Sequence, residues 1–208
     1  MQEDTIEKFM RLAIDLATNN VRNGGGPFGA VVVRNGQIVG TGVNRVTANC
    51  DPTAHAEILA IREAAHFLST HVLTDCVLFT SCEPCPMCLA AIYWAHITTV
   101  YFGNSKAQAQ HIGFDDSLIY QQLSYPIEKR AVAMHRVCET EALESFLLWS
   151  DTEDKNPVLS KFLVRSRKYR LGVLCNFGDE FAPLWWLQVH SKALPFPHFP
   201  QCLNAARV

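Results

Sequence analysis

At 208 residues the chain is long enough for one well-buried domain and too short for two ordinary ones. Its 49% hydrophobic and 18% charged residues are ordinary for a globular protein, and a formal net charge of -2 gives no electrostatic reason to expect a nucleic acid partner. No apolar run approaches the roughly 18 residues that a membrane crossing needs, and the acidic start Met1-Gln2-Glu3-Asp4 lacks the regions of a signal peptide, so a cytoplasmic location is expected.

The first element expected is a helix over Ile6 to Asn20, where Phe9, Leu12, Ala13 and Leu16 share one face. Asn23-Gly24-Gly25-Gly26-Pro27 breaks it and permits a close backbone turn. Phe28 to Val33 and Ile38 to Val43 then read as strands, joined through Asn35-Gly36 as a hairpin of type I′ character. Thr53 is placed to cap a helix over about 54–67, with Ile58, Ile61 and Ala65 inward. Val77 to Thr80 reads as a buried strand, and Pro86 suits the first turn of a helix ending near Ala95. Thr99 to Gly103 and Val132 to Val137 read as two more strands, and Leu143, Phe146 and Leu147 mark a last amphipathic helix. This order gives an α/β fold, a sheet covered by helices on both faces.

Beyond Asp151-Thr152-Glu153-Asp154 the pattern weakens. Residues 161–208 hold seven Lys or Arg against Asp179 and Glu180, and four prolines (Pro183, Pro195, Pro197, Pro200) interrupt any long helix. The division expected is a domain over residues 1–155 and a C-terminal extension over residues 156–208.

Chemistry concentrates in two short strings, His55-Ala56-Glu57 and Pro84-Cys85-Pro86-Met87-Cys88. They supply one imidazole, two thiolates and one carboxylate. Zinc prefers tetrahedral nitrogen and sulfur ligands, and a catalytic site leaves its fourth position to water. No Cys-x-x-Cys separate from the second string exists to close the shell. Cys82 is the one nearby candidate, and its place beyond Glu83-Pro84 turns it toward the strand core. Near a helix start, His55 can bind metal while Glu57 addresses the water as a general acid–base. Cys85 and Cys88, three apart at the next helix start, project to one side, and both helix dipoles favour deprotonated thiols. The other cysteines (Cys50, Cys76, Cys138, Cys175 and Cys202) read as small buried hydrophobes, because a cytosolic chain does not build a disulfide framework.

His-Ala-Glu followed by Pro-Cys-x-x-Cys is the signature of the zinc-dependent cytidine deaminase superfamily. Within it the chain resembles the bacterial guanine deaminases, from about residue 5 to about residue 150. The matching stretches are Gly25-Gly26-Pro27-Phe28-Gly29-Ala30-Val31, Asn49-Cys50-Asp51-Pro52-Thr53-Ala54 before the histidine, Thr80-Ser81-Cys82-Glu83 before the cysteines, Ala91-Ile92-Tyr93-Trp94-Ala95 and Gly113-Phe114-Asp115-Asp116. The resemblance implies a three-layer α/β/α sandwich around a mixed sheet of five strands. It implies Zn2+ on His55, Cys85 and Cys88, with zinc-bound hydroxide as nucleophile and Glu57 as proton shuttle. It implies further that Asn44 hydrogen-bonds a purine base, that Phe28 and Trp94 wall the ring, and that Asp116 holds the amino group or a ring nitrogen and assists proton transfer. The Ala56 backbone N–H would bind a polar group of the substrate. The reaction implied is hydrolysis of guanine to xanthine and ammonia by a homodimer that can exchange C-terminal segments.

One departure stands out. The family's tail carries an aromatic residue a few positions after an Asp-Lys pair, and here Asp154-Lys155-Asn156-Pro157 leads to Val158. The rival readings are another deaminase, acting on guanosine, a tRNA adenosine or a triazine, and a catalytically idle zinc-stabilised binding protein. Against a tRNA partner, residues 1–160 hold 11 Lys or Arg and 18 Asp or Glu. Against an idle protein, a purely structural zinc site has no use for Glu57.

Overall fold

A computed structural model describes residues 2–153, so the extension over 156–208 and the positions Val158, Cys175 and Cys202 lie outside the described residues. Helix α1 (Glu3–Arg22) carries Glu3 and Asp4 in its first turn and Arg22 in its last, in keeping with its dipole. It buries Phe9, Ala13, Ala17 and Asn20 along one stripe. Strands β1 (Gly29–Arg34) and β2 (Gln37–Val43) form the expected hairpin. Asn35 and Gly36 both take positive φ, 50° and 79°, as a type I′ turn requires. After the short helix α2 (Val46–Asn49) come α3 (Ala56–Phe67), β3 (Cys76–Cys82), α4 (Pro86–Trp94) and β4 (Thr99–Asn104). Helices α5 (Lys106–His111), α6 (Ser117–Ser124) and α7 (Glu139–Asp151) complete the described chain.

The sheet has the order β2-β1-β3-β4 and is mixed: β1 runs antiparallel to both β2 and β3, while β3 and β4 are parallel across the α4 crossover. Alternation along β1 sorts its side chains between two cores. Ala30 and Val32 join Ala56, Ala60, Ala64 and Ile92 of α3 and α4, whereas Val31 and Val33 join Phe9 and Ala13 of α1 with Phe79 of β3. Helices therefore cover both faces, as the sequence implied. On the β2 side the approach is close: a Cβ on Gly42 would lie 2.7 Å from the Ala60 backbone nitrogen. Only glycine lets α3 lie so near the strand, and α3 is the helix that begins at the metal-binding motif.

Three expectations are corrected. The described residues hold four strands, not five, because Val132 to Val137 forms no ladder; Val132 and Val137 are 72% and 73% exposed. A β-rich run becomes a strand only by pairing, and no described strand lies against the outer edge of β4. Thr53 does not cap α3. Its hydroxyl and N–H both donate to Asp51 Oδ1, at 2.7 and 2.8 Å, and His55 takes the N-cap position. Cys50 and Cys138 are exposed at helix ends in left-handed conformation, whereas Cys76 and Cys82 are buried as expected. Helix α7 forms, yet among the described residues its Phe146 and Leu148 remain 74% and 72% exposed. No helix of the described residues is long and apolar enough to cross a membrane.

Candidate active site

Two helix starts build the centre. His55 is the N-cap of α3 and Cys85 the N-cap of α4, with Pro86 locking the first turn behind it. Cys88 lies one turn further along α4, fully buried. His55 Nδ1 stands 3.5 Å from Cys85 Sγ and 3.5 Å from Cys88 Sγ. All three ligand atoms lie within 4.8 Å of one another. A tetrahedral zinc bonded to sulfur at ~2.3 Å and to nitrogen at ~2.0 Å would hold those atoms roughly 3.5 Å apart. The donor set therefore fits zinc in kind and in spacing, through Nδ1 of the histidine.

Electrostatics agree. The Cys85 thiol is drawn down to about 4, chiefly because Cys88 donates to it, with His55 alongside. Cys88 correspondingly holds its proton and is pushed upward. A cation bound between the two sulfurs would hold both as thiolates. Cys82, by contrast, is pushed up to about 11 by burial, and its Sγ turns to the Ser105 carbonyl at 3.9 Å. It is no part of the ligand set.

Glu57 sits in the first turn of α3 and is only 5% exposed. Its Oε1 accepts from Thr80 Oγ1 at 3.2 Å and its Oε2 from Cys88 Sγ at 3.5 Å. Burial raises its pKa above the ordinary carboxylate range. A buried carboxyl whose charged form is disfavoured, beside a metal-ligand cluster, is suited to taking up and giving back a proton.

A cavity of about 710 Å³ opens over this centre, lined by His55, Glu57 and Cys85 on one side and by Phe28, Asn44 and Asp116 on another. Asp116, at the N-cap of α6, has its pKa raised by burial first and by the Cys85 charge second. Its neighbour Asp115 also borders the cavity, but its Oδ1 accepts the Ser117 N–H at 2.9 Å and serves the turn into α6. Asn44 begins the loop after β2, with its Oδ1 turned toward the Val46 N–H at 3.4 Å. Ala56 is the first residue of α3. Its methyl is buried, and its N–H is among the donors that a helix start leaves without an intrahelical acceptor.

Trp94 is not brought to this cavity. It ends α4, nine positions beyond Cys85, and is 54% exposed. Helical rise places nine residues about 13 Å along the axis. The aromatic partner of Phe28 is instead Phe114, edge-on at a centroid distance of 4.8 Å. Glu83 and Lys106 also border the cavity, and Glu83 accepts the Lys106 backbone N–H at 2.9 Å. Phe114 lies within Gly113-Phe114-Asp115-Asp116 and Glu83 within Cys82-Glu83-Pro84-Cys85, so both strings contain the signal, but residue type and spacing alone give neither side chain a role.

Residues 3–104 match the model of the cytidine and deoxycytidylate deaminase zinc-binding region. Over 150 residues the chain is 47% identical to a guanine deaminase of Bacillus subtilis, covering 72% of this chain and 96% of that protein. The crystal structure of guanine deaminase from Bacillus subtilis superposes with a TM-score of 0.72 at 46% identity, covering 76% of this chain and all of that one (100%). A tRNA-specific adenosine deaminase of Buchnera aphidicola is 44% identical over 100 residues, 48% of this chain and 62% of that protein.

Proposed function

The chain belongs to the zinc-dependent deaminase family that includes guanine deaminase, and from that premise we propose that it hydrolyses guanine to xanthine and ammonia. The observation that carries the reading is the buried Glu57 carboxyl within reach of a His55, Cys85 and Cys88 cluster spaced for zinc. Zinc, when bound, lowers the pKa of water from about 15.7 toward 7. His55 Nδ1 and the two thiolates would hold it, oriented by the two helix starts. Glu57 takes a proton from the attacking water and delivers it to ring N3 as oxygen adds to C2. It then takes the proton of the hydroxyl now on C2 and passes it to the amine as the C2–N bond breaks, so that ammonia leaves and C2 becomes the carbonyl of xanthine.

Asn44 and Asp116 would hold the polar edge of the base, and Phe28 with Phe114 would bracket the ring. The Ala56 N–H offers a further donor at the start of α3. A pocket that hydrogen-bonds each polar atom rejects an analogue lacking one, because its own groups are then left unpaired. Trp94 fits the role of an apolar wall only across a subunit interface, since α4 carries it away from its own cavity. We take the enzyme to be a cytoplasmic homodimer. Residues 1–155 would make up its deaminase domain and residues 156–208 a C-terminal extension.

A tRNA substrate is disfavoured by the 18 acidic against 11 basic residues through position 160. The test is ammonia release from guanine, guanosine, adenine, cytidine and cytosine by the zinc-loaded protein, with Glu57→Ala as control. Guanine is expected to be the preferred substrate. Wild-type protein that binds zinc and releases no ammonia from guanine overturns the reading.

A further inference from the structure

Asn20 is a polar residue on the apolar stripe of α1. It follows Phe9, Ala13 and Ala17 along that face and is 5% exposed. Burying an amide is costly unless it is hydrogen-bonded, so its partners tell what it is for. Its Nδ2 donates twice, to the Gly26 carbonyl at 2.8 Å and to the Asn44 carbonyl at 2.8 Å. One amide thus spends both protons on two separate segments, the glycine loop after α1 and the end of β2. Its own backbone carbonyl accepts the Gly25 N–H at 2.8 Å, which pins the same loop a second time.

Both segments belong to the base-binding side of the cavity. Gly25, Gly26, Phe28 and Asn44 line it, whereas Asn20 lies behind them and lines nothing. The Asn44 backbone is held from both ends: its N–H donates to the Phe28 carbonyl at 3.1 Å while its carbonyl accepts from Asn20. Gly26 closes against the Asn44 side chain, where a Cβ would stand 3.0 Å from Asn44 Cγ. The hydrogen-bonding edge of Asn44 is therefore aimed by its own fixed backbone and by a loop that the same amide ties down. The zinc side of the cavity, on α3 and α4, takes no hydrogen bond from Asn20.

We propose that Asn20 is a positioning residue for base recognition, acting through Asn44 and the Gly25-Gly26 loop and not through the metal centre. The proposal rests on the guanine reading for its kinetic readout, though not for its structural one. Asn20→Asp keeps the shape and replaces the double donor with an acceptor facing two carbonyl oxygens. It is expected to raise KM for guanine about tenfold or more, with kcat changed less than about twofold and zinc content unchanged. In an Asn44→Ala background the same substitution is expected to change kcat/KM less than about twofold, because both tethers remain but the Asn44 side chain that they aim is gone.

Equal losses in both backgrounds, or a fall in kcat or zinc content at unchanged KM, would overturn the proposal in favour of a plain packing role. Asn20→Ser, which keeps one hydroxyl donor, takes the place of Asn20→Asp in the same cycle if the latter does not fold. If wild-type protein leaves guanine untouched, the guanine reading fails separately. The 15N-labelled zinc protein then decides the matter. Shifted Asn44 and Gly25 amide resonances with unmoved Glu57 and Cys88 resonances support the positioning role, and unmoved Asn44 and Gly25 resonances overturn it.

Discussion

Glu57 differs from an ordinary surface carboxylate in burial, in its two donors and in its distance from thiols, and those differences set what its replacement will do. Glu57→Gln preserves shape and the Thr80 contact but cannot carry a proton. General acid–base groups contribute about 10²–10⁴-fold, so kcat is expected to fall by at least about a hundredfold, with metal analysis showing zinc retained. A variant with near wild-type turnover would remove Glu57 from the reaction. Asp116 supports a second prediction, in pH. An acid whose pKa is raised becomes a carboxylate only at higher pH, so kcat/KM should fall as pH is lowered through a value above the ordinary 3.8. In Asp116→Asn the part of that limb owed to Asp116 should be lost at a lower absolute rate, leaving the limb that Glu57 sets as the proton acceptor, and a profile unchanged in shape would mean that Asp116 does not titrate in catalysis. The ligand triad and Glu57 could be read from two strings because helix starts translate spacing directly into geometry. Asn20 could not be assigned a partner from sequence. A polar residue on an apolar stripe shows that something must pair with it, but the two carbonyls that do so lie six and twenty-four positions away.

Among the elements, α3 has the most to lose from a small error, because it is packed on β2 and starts at His55. Gly40 and Gly42 let the strand lie against the helix backbone at Ala56, Ala60 and Ala64. Gly42→Ala forces a methyl into that contact, and overpacking of this kind costs roughly 1–3 kcal/mol. The shift falls on the first turn of α3, so the melting temperature and the zinc affinity should drop together, with the fold retained by circular dichroism. Normal zinc affinity alongside a lowered melting temperature would show that the helix start is held independently of β2. The hairpin was legible because Asn35-Gly36 is a local instruction, needing nothing beyond two residues of positive φ. Val132 to Val137 was misread for the opposite reason. A short run of this kind becomes a strand only if an edge receives it, and that partner is a property of the assembled sheet. Helix α5 carried a readable capping box, Ser105 with Gln108, yet short helices around a cavity yield little periodicity to find.

For the whole molecule, apolar surface is the unfinished business of the described chain. Trp94 ends α4, Phe102 lies on the edge strand β4, Leu118 and Leu123 on α6, and Phe146, Leu148 and Trp149 on α7, each half or more exposed. Helix α7 makes no extensive packing with any other element among the described residues. An amphipathic helix leaves an aromatic face in water only at a cost that association can recover, and interfaces draw their energy from such aromatic anchors. The homodimer proposed above would cover this surface, and it offers the one geometry in which Trp94 could wall a cavity. Light scattering should therefore find the zinc protein at twice the 23.3 kDa chain mass. A buried aromatic anchor is worth about 2 kcal/mol, or about 30-fold in Kd. Phe146→Asp combined with Trp149→Asp should accordingly shift the protein toward monomer at micromolar concentration while the zinc content stays the same. If the dimer completes the cavity, dilution of the wild type below its dissociation constant and the double substitution should lower kcat/KM together. A monomeric wild type, or a dissociated variant with full activity, would leave each cavity complete within its own subunit.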